Sequence, residues 1–272
     1  YTISEIDSNN FTLLEMQEGT YNWQVSCKDS LENQGYSETN ILYVDKTGPD
    51  SNLDQPSNFY NLSGNSFIVN ASVSDSGSGV STSVFEYRES ASDSWKFACL
   101  DDRIDTNVAQ CVWNLSGLPD RDTYQVRVYS NDTLGNFGGT SQHGGITLDN
   151  NAPAIRLYDP KDSVKDGDGN VRFSFSVEDA VSDISNCSLY INRTINDTIY
   201  SPILQENKLY FNLTNMTNGD YYWNITCWDD YYVKHENTSE TRLLTIDIKY
   251  IMNVEVITDR ETYEKGNQQN QN

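Results

Sequence analysis

The sequence predicts an all-β chain built from tandem sandwich modules of about a hundred residues, and three observations carry that expectation. One phrase is written three times, as GTYNWQVSCKD at 19–29, DTYQVRVYSND at 122–132 and GDYYWNITCWD at 219–229, with starts 103 and 97 residues apart. A fixed spacing of that size is the period of an array of domains. Each copy also alternates: Tyr21, Trp23, Val25 and Cys27 point one way and Asn22, Gln24, Ser26 and Lys28 the other, the pattern of a strand buried on one face. Finally, tyrosine is abundant, with 18 residues, no long stretch keeps helical spacing, and both facts favour strands.

The elements follow from that ruler. Residues 1–48 read as the back half of one module, 49–149 and 150–248 as two complete ones, and 249–272 as the start of a further one. The boundaries come from LYVDKTGPD at 42–50 and ITLDNNAPA at 146–154, each a strand that ends in Asp with Pro four residues on. Proline stops the ladder, and the polar residues before it form a short hinge. Within the third module VRFSFSVED turns Val171, Phe173, Phe175 and Val177 to the core; CSLYINRT turns Cys187, Leu189 and Ile191; KLYFNLT turns Leu209, Phe211 and Leu213. LLTIDIKY at 243–250 then runs without Pro into NVEVITDRETYEKG, the opening strand and turn of the next module. Tyr1 in place of Met and the polar GNQQNQN tail read as the ends of a fragment.

A formal net charge of −22 argues against nucleic acid as a partner, since phosphate binding needs Lys and Arg. No apolar run approaches the roughly twenty residues of a membrane span, so any membrane anchor is expected outside this segment. Asn-x-Ser/Thr sequons occur at Asn10, Asn61, Asn70, Asn114, Asn131, Asn186, Asn192, Asn196, Asn212, Asn215, Asn224 and Asn237. The strand parity turns Asn70, Asn131, Asn192, Asn212 and Asn224 outward, where N-linked glycans are sterically admissible. Asn is also a common outward polar residue. The sequons point to an extracellular, cell-surface location.

LSGLPDRDTYQVRVYSNDTLGN at 115–136 resembles the E to F segment of a fibronectin type III domain. The wider pattern, with SDSGSGVS and EDAVSDIS after strand B and VDKTGP at the module exit, is similar to the Ig-like repeats of bacterial and archaeal surface-layer proteins and adhesins. The resemblance implies tandem Ig-like or fibronectin III-like sandwiches and specifies fold, not activity. In such a sheet strands C and F run side by side and antiparallel, which pairs Cys187 with Cys227. Ser130 takes the position of Cys227 in the second module, leaving Cys99 and Cys111, which flank the polar stretch DDRIDT, to close a hairpin. Cys27 matches Cys227 but has no partner in this segment. Each bridge contributes ~3–4 kcal/mol through the unfolded state.

Carboxylates are the constellation with chemistry to offer. Asp75 and Asp179 occupy one place after strand B, and Asp29, Asp132 and Asp229 one place after strand F; the linkers bring Asp45 and Asp50, or Asp149, to the same pole. Oxygen ligands at each joint suit calcium; equally, Asp at a strand end caps its own turn. KDGDGN at 165–170, with Asp166 and Asp168, is a weaker calcium candidate or a plain turn. These carboxylates are expected in turns or on outward positions where nothing raises a pKa, and no histidine neighbours a nucleophile, so no catalytic residue is assigned. Outward Tyr129, Tyr190, Tyr210 and Tyr222 suit sugar stacking, chain packing or simple strand formation. The functional expectation is a structural segment of a surface layer, sheath or filament, with other copies of itself, other surface proteins and glycans as partners. An adhesin or receptor stalk and an accessory region of a secreted enzyme are the alternatives.

Overall fold

A computed structural model describes residues 3–7, 10–102 and 107–249, and every regular element in them is a strand. Ahead of the first linker, β1 (Ile3–Asp7) pairs with β2 (Asn10–Leu13), β3 (Gly19–Trp23) with β6 (Asn40–Val44), and β4 (Ser26–Lys28) with β5 (Gln34–Tyr36). Trp23 is 49% exposed there, whereas Trp223, its counterpart in the third copy of the phrase, is 1% exposed. The difference is the opposing sheet: the Trp223 ring meets Phe173 edge-on at 5.0 Å.

The second module runs β7 (Asp50–Gln55), β8 (Asn61–Leu62), β9 (Ser66–Ser74), β10 (Val80–Arg88), β11 (Lys96–Asp101), β12 (Val108–Asn114), β13 (Arg121–Asp132) and β14 (Phe137–Leu148). One sheet has the order β12-β9-β7 and the other β11-β10-β13-β14-β8. The third module repeats this with β15 (Ala154–Asp159), β16 (Val164–Asp166), β17 (Val171–Glu178), β18 (Ile184–Ile191), β19 (Thr194–Tyr200), β20 (Leu209–Leu213), β21 (Gly219–Asp229), β22 (Glu236–Thr238) and β23 (Arg242–Ile246). Its sheets are β15-β17-β20 and β16-β23-β21-β18-β19, with β22 beside β21. A three-stranded sheet facing a larger one in this order is the fibronectin III-like and Ig-like sandwich. The further module expected from residue 249 onward lies almost wholly outside the described residues.

Each sandwich has its own core. Phe173, Phe175, Phe211, Leu189, Trp223 and Ile225 fill the third module, and Phe85, Trp113, Tyr124, Val126 and Val128 the second. Burial of each large side chain stabilises by about 1.5–3 kcal/mol. Where the third phrase puts Trp223 on β21, the second has Val126, and Trp113 of β12 supplies the missing ring volume, 6.2 Å from Tyr124. The tyrosine of every phrase makes a corner bond of the Greek-key type: the Tyr21, Tyr124 and Tyr221 hydroxyls donate to the carbonyls of Gln17, Pro119 and Thr217 at 2.8, 2.8 and 2.9 Å. Sequence reasoning treated these tyrosines as strand formers only.

Cys187 of β18 faces Cys227 of β21 in register and is bonded to it. At the same register in the second module Ser83 faces Ser130, and their hydroxyls lie 2.6 Å apart in the core. Cys99 and Cys111 are also bonded, but they do not close a hairpin. β11 ladders with β10 and β12 with β9, in opposite sheets, so this bridge ties the two sheets across their open edge. Cys27 is exposed and free.

Candidate functional site

The turn after strand F is built the same way three times. Asp29 accepts from the backbone N–H and side-chain amide of Asn33 at 2.9 and 2.8 Å. Asp132 accepts from the same groups of Asn136 at 2.8 and 2.7 Å. In the third copy His235 stands where Asn would: its backbone N–H reaches Asp229 at 3.1 Å and its Nδ1 lies 2.9 Å from Asp229 Oδ2. An imidazole Nδ1–H and an amide Nδ2–H present a donor at similar reach, so histidine preserves the cap. Two extra residues in that turn, Asp229 to His235 against Asp132 to Asn136, hid the equivalence from sequence alignment.

The first joint gathers Asp45 of the linker, Asp75 after β9 and Asp132 after β13, with one carboxylate oxygen from each lying within 4.8 Å of the others. Five of their six carboxylate oxygens accept a hydrogen bond. Asp45 accepts from the N–H groups of Ser78 at 2.6 Å and Thr47 at 3.2 Å, and Asp75 from that of Gly77 at 2.5 Å. The donors of Ser78 beside it, of which the backbone N–H is bonded, hold the Asp45 carboxyl down at about 2. The oxygen set that the sequence assigned to calcium is therefore assembled here from residues that also cap their own turns. Of these oxygens Asp75 Oδ2 is buried without a hydrogen bond, as is the Ser78 hydroxyl beside them.

The second joint departs from that scheme. Asp149 replaces Asp45, and neither of its carboxylate oxygens has a hydrogen-bond partner although the residue is 0% exposed; the Ser182 hydroxyl, the donor near enough to favour its charged form, is bonded to Asp179 at 2.9 Å instead. Asp179, the counterpart of Asp75, keeps the nearby loop amides for itself, accepting from Val181 and Ser182 N–H at 3.1 and 3.0 Å. His235 Nδ1 is 3.9 Å from Asp149 Oδ1, and Asp149, Asp229 and His235 form a second group within 4.8 Å. Burial, reinforced by the charge of Asp179, pushes the Asp149 carboxyl up to about 6. The expectation that no carboxylate in the chain sits where its pKa would rise is corrected here, because module stacking excludes water from a position that looks like an exposed linker in sequence. His235 was missed for the same reason.

The remaining predicted ligands belong to neither group, although Asp50 lines a hollow with Asp75 and Thr47. Asp50 is an exposed residue of β7 opposite Ser74. Asp166 accepts from the N–H groups of Asp168 and Gly169, and Asp168 from that of Asn170, the bonding of a turn leading into β17. Among the described sequon side chains, Asn61, Asn114, Asn192, Asn196, Asn212, Asn215 and Asn237 are exposed and Asn70, Asn131, Asn186 and Asn224 half-buried. Asn237 already donates its Nδ2 to the Pro153 carbonyl at 2.9 Å, and the side chain of Asn10 lies outside the described residues. Tyr210 and Tyr222 are exposed, Tyr129 and Tyr190 half-buried. A shallow hollow of about 250 Å³ lined by Arg156, Tyr158, Glu178 and Glu206 is smaller than the usual small-molecule site.

No protein-family profile matches the sequence, and no curated protein is significantly similar to it. Solved structures of similar fold include the fibronectin(III)-like modules of CbhA from Clostridium thermocellum, at 14% identity over 74% of this chain and 94% of that one, with a TM-score of 0.30. The FN1–FN3 domains of chicken CNTN1 match at 12% identity over 84% and 75%, with a TM-score of 0.32. A tetra-tandem repeat in the extending region of a large adhesion protein matches at 12% identity over 85% and 58%, with a TM-score of 0.37. These likenesses concern the fold alone.

Proposed function

We propose that this chain is a structural spacer of an extracellular cell-surface assembly, in which stacked sandwiches hold a fixed spacing and orientation. The observation that carries the reading is the construction of the joints. Each linker is hydrogen-bonded both to the module it leaves and to the one it enters. At the first, Glu18 accepts from the Thr47 hydroxyl at 2.8 Å while Asn136 donates to the Asp45 carbonyl at 3.2 Å. At the second, Asp120 accepts from Asn150 and Asn151 N–H, both at 3.0 Å, and Asn237 holds Pro153 from the far side. Tyr231, itself buried, crosses the joint to donate to the Leu62 carbonyl at 3.0 Å. A linker meant only to tether would leave those groups to water.

The two disulfides suit an oxidising compartment, and the sequons on open strand faces suit a glycosylated surface. Small-angle scattering of the chain, alone and at rising concentration, tests the proposal. The spacer reading expects a rod whose length matches end-to-end modules, with ordered self-association or filaments by electron microscopy at high concentration. A strictly monomeric, freely hinged particle that captures a glycan or protein ligand supports the adhesin stalk instead.

A further inference from the structure

The second joint carries a feature that a spacer does not need. Asp149 is a fully buried carboxylate with no hydrogen-bond partner at either oxygen, an arrangement whose charged form calls for a compensating cation. Among the described residues no Lys or Arg is ion-paired with Asp149. The protein offers instead a second buried carboxylate, Asp229, and one imidazole nitrogen, with Asp179 adding negative charge close by. Two or three carboxylates around a single imidazole leave an excess of negative charge that a divalent cation balances.

We propose that Asp149, Asp229 and His235 form a binding site for a divalent transition-metal ion of the zinc class, which locks the joint between the second and third modules. The donor spacing fits. Ligands about 2.0–2.2 Å from a tetrahedral ion stand ~3.4 Å apart, and His235 Nδ1 is 2.9 Å from Asp229 Oδ2 and 3.9 Å from Asp149 Oδ1. Binding takes the imidazole as its Nε2–H tautomer, the Nδ1 proton leaving to solvent while Nε2 carries the ring's one N–H, so Nδ1 and Asp229 both turn lone pairs to the ion in place of the hydrogen bond between them. A nitrogen donor among carboxylates suits zinc-class ions, whereas calcium takes oxygens only. The His235 side chain is 19% exposed, which leaves the ion a route in. The first joint lacks the device: its cap residue is Asn136, whose amide is no match for imidazole as a ligand, and Asp45 there already has its donors. The site stands whether the array is a spacer or a stalk.

The test uses the full chain with Cys27→Ser, because an exposed thiol would itself take up metal. Isothermal titration with Zn²⁺, and visible absorption with Co²⁺ as a spectroscopic substitute, should show one saturable site per chain and the bands of a four-coordinate ion. His235→Asn is the decisive variant, since Asn33 and Asn136 show that Asn keeps the turn cap intact. It should retain the metal-free melting temperature and weaken Zn²⁺ binding at least about tenfold; Asp149→Asn should do likewise. Absence of saturable Zn²⁺ binding in the parent overturns the proposal. So does Zn²⁺ binding unchanged in His235→Asn, or a Ca²⁺ titration that matches Zn²⁺ in affinity and ignores that substitution.

Discussion

Ser83 and Ser130 hold in the second module the register that Cys187 and Cys227 hold in the third, with a third hydroxyl, Ser51, 2.8 Å from Ser130. A backbone already shaped for a cross-strand bridge predicts that Ser83→Cys with Ser130→Cys will oxidise without rearrangement. Closing that loop should stabilise by up to about 4 kcal/mol, read as the difference between oxidised and reduced denaturation midpoints. Failure of the pair to oxidise would show that the two modules differ in local geometry. At the tyrosine corner, Tyr124→Phe deletes only the bond to Pro119 and should cost about 1 kcal/mol, measured the same way; no loss would mean the hydroxyl is ornamental. Asp162 gives a pH signature. Its Oδ1 accepts the Leu243 N–H at 2.8 Å, and that backbone bond holds the carboxyl below the ordinary aspartate range. A depressed folded value means its contribution is complete above the unfolded pKa and disappears as pH falls through the folded one. Asp162→Asn should therefore lower stability at neutral pH and flatten the acid limb below about pH 4, as followed by melting temperature against pH.

At the scale of elements, the bridge between Cys99 and Cys111 joins edge strands of opposite sheets, where no ladder runs between them. Its removal by Cys99→Ser with Cys111→Ser should cost about 3 kcal/mol, and hydrogen exchange should rise first in β11 and β12. Gly138 marks a different kind of contact. A β-carbon there would collide with the Pro49 carbonyl oxygen, and one at Gly48 with the Phe137 backbone, because the first linker lies backbone against backbone on the start of β14. Gly138→Ala should leave the second module's own unfolding transition in place and open the joint, seen as faster proteolysis within residues 45–49. Equal cleavage rates would place the rigidity of the joint elsewhere.

For the whole molecule the same chain of carboxylates does two jobs, decided by what the neighbouring module supplies. At the first joint Ser78 delivers its amide to Asp45, and at the second the loop turns its amides to Asp179 and leaves Asp149 bare. Tyr231 then spans the second joint to reach Leu62 and Thr147. Tyr231→Ala should shorten the time-averaged length in solution scattering while both modules still melt as before. An unchanged scattering profile would assign the joint's stiffness to the linker bonds of Asp120 and Asn237.

The chain's own alternation and its repeated phrase determined the strand faces and the module length, because inward and outward are set by a period of two that needs no knowledge of neighbours; the pairing of Cys187 with Cys227 followed once the resemblance to an Ig-like sheet set strands C and F side by side. The register of the repeats also brought Asp45, Asp75 and Asp132 to one pole. Tertiary structure decided the rest. Whether Cys99 and Cys111 close a hairpin or bind two sheets depends on which partner each edge strand takes, and both choices alternate identically in sequence. Whether a linker Asp is a capped turn residue or a buried, unpartnered carboxylate beside an imidazole depends on how one module's loops seat against the next. Desolvation and donor supply at a joint are properties of two surfaces in contact, and no local pattern in LDNNAP or in YYVKHEN encodes them.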